Sequence, residues 1–90
     1  MPNWQVKSNG ESGYGRFDIA IYPCKQGQRG ICLEFKAANS IEELDSMAEK
    51  ALLQIEEMNY LAEFHARGIT DVWCYGIAFY GKYLKLVCKK

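Results

Sequence analysis

Two carboxylates and a lysine sit in stretches of this chain that otherwise read as oily β-strands. Phe17-Asp18-Ile19-Ala20-Ile21 is followed, after a short loop, by Ile31-Cys32-Leu33-Glu34-Phe35-Lys36. Side chains of a strand alternate between its faces. Phe17, Ile19 and Ile21 therefore share one face, Ile31, Leu33 and Phe35 share one face of the next strand, and Asp18, Glu34 and Lys36 stand opposite those apolar sets. Charged groups inside a small domain are costly unless they are paired, hydrogen-bonded or bound to a metal. If the two strands form an antiparallel hairpin centred near Gln26, Asp18 and Glu34 become cross-strand neighbours. A structural ion-pair cluster at a sheet edge is the competing explanation of the same three residues.

The elements that must position these groups follow from turn and periodicity signals. An extended segment, Trp4 to Ser8, leads into a glycine-rich turn at Gly10, Gly13 and Gly15. The strand from Arg16 to Tyr22 stops at Pro23, and a polar loop with Gly27 leads into a strand from Gly30 to Lys36. Ser40 with Glu43 forms a capping-box pattern, and apolar residues then recur at Ile41, Leu44, Ala48, Ala51, Leu52, Ile55, Met58 and Ala62. With Gly68 as C-cap, the spacing predicts one helix of about 26 residues. Strands from Val72 to Phe79 and Tyr83 to Cys88, joined at Tyr80-Gly81-Lys82, complete the chain.

The expected fold is therefore α/β of the α+β kind, a mixed sheet in β-β-β-α-β-β order with one long helix. The helix is expected to cover the faces of Ile19, Ile21, Ile31, Leu33 and Phe35. The opposite face, with Ala20, Tyr22, Cys32 and Trp73 or Tyr75, is then too apolar to meet water, and a homodimer or a neighbouring domain is expected to cover it.

Ninety residues suit one domain, 1–90, or the C-terminal portion of a larger protein. A formal net charge of zero means that any nucleic-acid binding would need a local patch, for which Lys7, Arg16, Lys25, Arg29 and Lys36 are candidates. No apolar run approaches the length of a membrane span and none resembles a signal peptide, so the reading is no membrane and a cytoplasmic location. Cys24, Cys32, Cys74 and Cys88 lack CxxC spacing and read as reduced thiols rather than as a zinc site or a disulfide framework. The lone histidine, His65, reads as an exposed residue late in a helix.

Asp18 followed by Glu34-Phe35-Lys36 resembles the signature of the PD-(D/E)XK nuclease superfamily, with its restriction-endonuclease-like fold. More narrowly, Ser8-Asn9-x-Glu11-Ser12-Gly13-Tyr14-Gly15-Arg16-x-Asp18, Leu33-Glu34-Phe35-Lys36, Ala51-Leu52-x-Gln54-Ile55 and Tyr75-Gly76-Ile77-Ala78-Phe79 are similar to the nuclease-like domain at the C-terminus of bacterial AAA-ATPase-like proteins. The resemblance implies a metal-dependent nuclease acting on DNA. Phosphodiester cleavage needs a divalent cation, and Mg²⁺ accepts one or two carboxylates while leaving the rest of its shell to water and phosphate. By that resemblance Asp18, Glu34 and the backbone carbonyl of Phe35 would hold Mg²⁺ or Mn²⁺. Lys36 would position the attacking water and stabilise charge, and Gln54 would help orient the site.

Glu11, Arg16 and Tyr60 are supporting candidates. The separation of Gln54 from Tyr60 is longer than the superfamily's Q-x-x-x-Y, Phe17 replaces the proline before the aspartate, and the superfamily's first helix is lacking here. The alternative from another class is a non-catalytic nuclease-fold module for dimerisation or for docking to a parent or neighbouring AAA-type ATPase domain.

Overall fold

The computed structural model describes residues 4–8, 18–25, 27–57 and 60–89. Strands β1 (Trp4–Ser8), β2 (Asp18–Pro23) and β3 (Gly30–Ala37) come first, and a 3₁₀ turn at Ile41–Glu43 leads into helix α1 (Leu44–Glu57). Helix α2 (Leu61–Ala66) and strands β4 (Val72–Tyr80) and β5 (Tyr83–Lys89) follow. All five strands lie in one sheet in the order β1-β2-β3-β4-β5. β3 and β4 are parallel, and the other three pairings are antiparallel. This is the mixed, α+β architecture expected from the sequence, and it is consistent with a restriction-endonuclease-like fold.

The helical stretch differs from expectation in its detail. Ser40 makes no side-chain cap, whereas the Glu43 carboxylate accepts from the Asn39 N–H at 3.1 Å, so only the glutamate half of a capping box forms and it is displaced by one residue. Glu43 N–H donates to the Ser40 carbonyl, which tightens the opening into a 3₁₀ turn. α1 is the long helix, but it does not run on as one element of about 26 residues. Tyr60 N–H donates to the Ile55 carbonyl at 3.1 Å, one residue wider than α-helical spacing, and α2 begins beyond that wide turn. α2 closes as expected at Gly68, whose φ of 79° permits a Schellman pairing: Ile69 N–H to the Phe64 carbonyl and Gly68 N–H to the His65 carbonyl, both at 2.9 Å.

The face covered by the helices is the reverse of the expected one. The buried core joins Tyr22, Cys32, Val72 and Cys74 of the sheet to Ile55, Phe64 and Ile69, and a second cluster joins Ala78 and Ala38 to Leu44 and Ala48. Ile19, Ile21, Ile31, Leu33 and Phe35 lie on the opposite face, with Trp73 and Tyr75. Neither these two rings nor Phe79, which is exposed, belongs to the core. The physical reason is close approach. A Cβ on Gly76 would meet the Ala48 carbonyl oxygen at 2.3 Å and the Leu52 nitrogen at 2.6 Å, so the backbone of α1 rests directly on the sheet. Such packing selects the face of small residues, Gly76, Ala78, Cys32 and Cys74. The larger branched side chains would hold a helix away.

Candidate functional site

The β2–β3 register sets Asp18 opposite Glu34, as the hairpin argument expects. On its other side Glu34 is paired with Gly76, and Lys36 with Ala78, in the parallel β3–β4 ladder. Alternation then puts Glu34 and Lys36 on the helix-covered face. Glu34 is 0% exposed, and Lys36, nearer the end of the strand, is half-buried. A carboxylate removed from water is expensive, and such groups are kept where a cation, a proton or hydrogen bonds compensate them. Lys36 and Glu34 are thus two positions apart on one strand face, with the Asp18 backbone across the ladder from Glu34.

Gln54 is half-buried on α1. That helix lies over β4, with β3 to one side and β5 to the other. Its Asp45 and Glu56 reach the β5 side, where they pair with Lys85 and Lys89. Gln54 is roughly 160° around the helix from Glu56, on the flank toward β3. Tyr60 goes elsewhere, packing against the cluster of Tyr22, Cys32, Ile55 and Phe64. The side chain of Phe35 is half-buried on the open face of the sheet. Glu11 and Arg16 lie outside the described residues, as does the side chain of Asp18.

The side chain of Lys7 and all of Arg16 lie outside the described residues, and the other three basic candidates do not share one surface. Lys25 and Arg29 are exposed at the β2–β3 hairpin end, whereas Lys36 is about 23 Å further along β3 at the usual rise per residue. Arg29 is already engaged: its Nε donates to Asp71 Oδ2 at 3.1 Å and its guanidinium lies 3.9 Å from the centroid of Trp73. Arg67 similarly covers the Tyr22 ring at 3.8 Å while bonding Gln5 and Glu63. Burial, followed by the nearby Glu63 carboxylate, pushes the Tyr22 phenol above its ordinary value, and Arg67 opposes that shift. His65 is exposed. Cys32 and Cys74 are buried thiols in register with one another, and Cys24 and Cys88 are exposed thiols.

Two cavities accompany this arrangement. One of about 140 Å³ lies at the hairpin end between Pro23, Gln28, Arg67 and Asp71. Another of about 280 Å³ lies between Leu52, Leu61, Val72 and Cys74, beneath the Glu56–Lys89 pair. Among the described residues no group of three or more His, Cys, Asp or Glu side chains is gathered to hold a metal. The expected donor set has only two such side chains, Asp18 and Glu34, and that of Asp18 lies outside the described residues. Gly76 is the position beside Glu34 that motif spacing does not single out. Its signal was a glycine inside a strand pattern, which marks close approach of another backbone.

A mixed sheet crossed by one long helix, with two acidic positions paired across a hairpin and a lysine two residues on, is consistent with a restriction-endonuclease-like fold. The profile of the PD-(D/E)XK nuclease superfamily matches residues 2–89, and the chain belongs to that superfamily. No curated protein and no solved structure matches it. No helix among the described residues is long and apolar enough to cross a membrane.

Proposed function

We propose that this chain is a divalent-metal-dependent nuclease domain acting on DNA. The observation that carries the reading is the pairing of Asp18 with Glu34, with Lys36 on the same strand as Glu34. Oxygen donors of this kind suit Mg²⁺ or Mn²⁺, with Asp18, Glu34 and the Phe35 carbonyl as the ligands. A bound cation would supply charge neutralisation at the scissile phosphate and a more acidic water. Lys36 would position the attacking water and stabilise developing charge at the phosphate. Gln54, on the β3 flank of α1, is the orienting residue, and Glu11 and Arg16 are candidates for support.

Calorimetric titration of Mg²⁺ and Mn²⁺ into wild type and Asp18→Ala, followed by incubation with labelled single-stranded, duplex and branched DNA, tests this directly. Saturable metal binding that the variant loses, together with metal-dependent cleavage, is the expected result. Absence of metal binding by wild type would sink it.

A second reading has its own observation. Glu34 is wholly buried beneath α1. That favours a nuclease fold retained as a docking module, for which an AAA-type ATPase domain is the partner class suggested by the sequence resemblance. Metal binding without cleavage of any of these substrates would support it.

A further inference from the structure

Each strand turns apolar side chains away from the helices: Val6 from β1, Ile21 from β2, Leu33 from β3, Tyr75 from β4 and Leu86 from β5. No described residue at an open-face position of the five strands is charged. Arg29 stands at the margin, over Trp73 and paired with Asp71, so an apolar centre meets a polar rim. The outer strands are the most open, with Val6 and Leu84 each 63% exposed and Leu86 47%. Together with Trp4, Phe79 and the half-buried side chains between the edges, they leave an apolar surface of the same order as the ~800 Å² that one partner contributes to a standard stable interface.

The shape of this face selects its occupant. Five strands span about 19 Å from first to last, whereas one helix is about 10–12 Å across. A second sheet of the same width, packed at the usual ~10 Å separation, would cover the whole face. The strand positions of this face carry no charge, and the Arg29 guanidinium over Trp73 is already paired with Asp71, so a two-fold arrangement brings no unpaired like charges together. We propose that two copies of this chain associate through this face, sheet against sheet, as a closed symmetric dimer. The inference does not depend on the nuclease reading.

Both tryptophans of the chain, Trp4 and Trp73, lie on this face, so their emission reports on it. Sedimentation velocity over a dilution series should show the mass of two chains giving way to one, with tryptophan emission moving to the red over the same concentration range. Val6→Asp combined with Leu84→Asp alters side chains that are already largely exposed, so the far-UV circular dichroism should be kept while the dissociation constant rises on the order of a hundredfold or more. A wild-type monomer at all concentrations would overturn the proposal and assign the face to a different partner. Open-ended oligomers, or a dimer unaffected by the double substitution with no emission change on dilution, would overturn it equally.

Discussion

Glu34 and Gly76 are neighbours in the parallel β3–β4 ladder, and the missing side chain of Gly76 is what lets α1 rest on the sheet beside a wholly buried carboxylate. Gly76→Ala must therefore lift or tilt the helix, because the new methyl would face backbone atoms rather than a flexible side chain. We expect a loss of about 2–3 kcal/mol in stability. Urea unfolding should show a lower midpoint with an unchanged slope; an unaltered midpoint would mean that the helix shifts at no cost.

Glu34→Gln keeps the shape of the side chain and removes its charge. The fold should survive, with a urea midpoint equal to or above that of wild type, since an amide is cheaper than a carboxylate to bury. Mn²⁺ affinity measured by calorimetry should fall at least tenfold. Unchanged affinity would remove Glu34 from the metal site.

Phe64 joins α2 to the sheet. It is 0% exposed, its ring centroid is 4.7 Å from that of Tyr22, and a Cβ on Gly30 would meet its ring at 2.7 Å. Phe64→Ala should cost about 3–5 kcal/mol by leaving a cavity. Thermal unfolding followed by circular dichroism reads this out; a loss under 1 kcal/mol would show that α2 collapses into the space.

Thiol chemistry should divide the four cysteines into pairs. Cys24 and Cys88 are exposed and should react rapidly with a small aromatic disulfide at neutral pH, whereas Cys32 and Cys74 should react only as the protein opens. Burial, followed by the Glu56 carboxylate, pushes the Cys74 thiol above its ordinary value. The folded chain therefore holds that proton more tightly than the unfolded chain. The resulting stabilisation is complete below the unfolded thiol's pKa and is lost as pH rises through the folded value. Rapid labelling of all four thiols without unfolding would contradict the burial pattern.

The Lys89–Glu56 pair has the same sign. A hydrogen bond to Glu56 and its charge raise the lysine's pKa, so its contribution is whole below the ordinary lysine value and disappears as pH climbs through the raised one. Both side chains are largely in water, which makes the effect small. Comparing melting temperatures of wild type and Lys89→Met from neutral to strongly alkaline pH should show a difference that narrows toward high pH. A difference that widens would reverse the assignment.

Local features were legible in the sequence. The Asp18–Glu34 register followed from the hairpin centre near Gln26, the Gly68 cap from the helix pattern, and the five strands from alternation and turn residues. The covered face was not legible, because oiliness is a poor guide when the covering helix meets small residues. In a parallel crossover the covered face follows from strand direction and handedness, which a pattern of apolar positions does not encode. The break after α1 was masked by apolar spacing that continues through it. Tyr60 was assigned to the site from its motif, and its packing against Ile55 and Phe64 depends on that break.

The strand order has a further consequence, for how the chain reaches this state. Each strand lies beside its neighbour in sequence, so β1-β2-β3 and β4-β5 can each assemble by local closures, far shorter than the one between β3 and β4. Joining β3 to β4 is the one step that closes a long loop, and α1 spans it. Interactions at that joint, among them Gly76 beneath Ala48 and Ala78 against Leu44, should set the folding rate, while substitutions in β1 should act chiefly on unfolding. The same helix that seals Glu34 would then be the piece whose docking commits the chain to its fold.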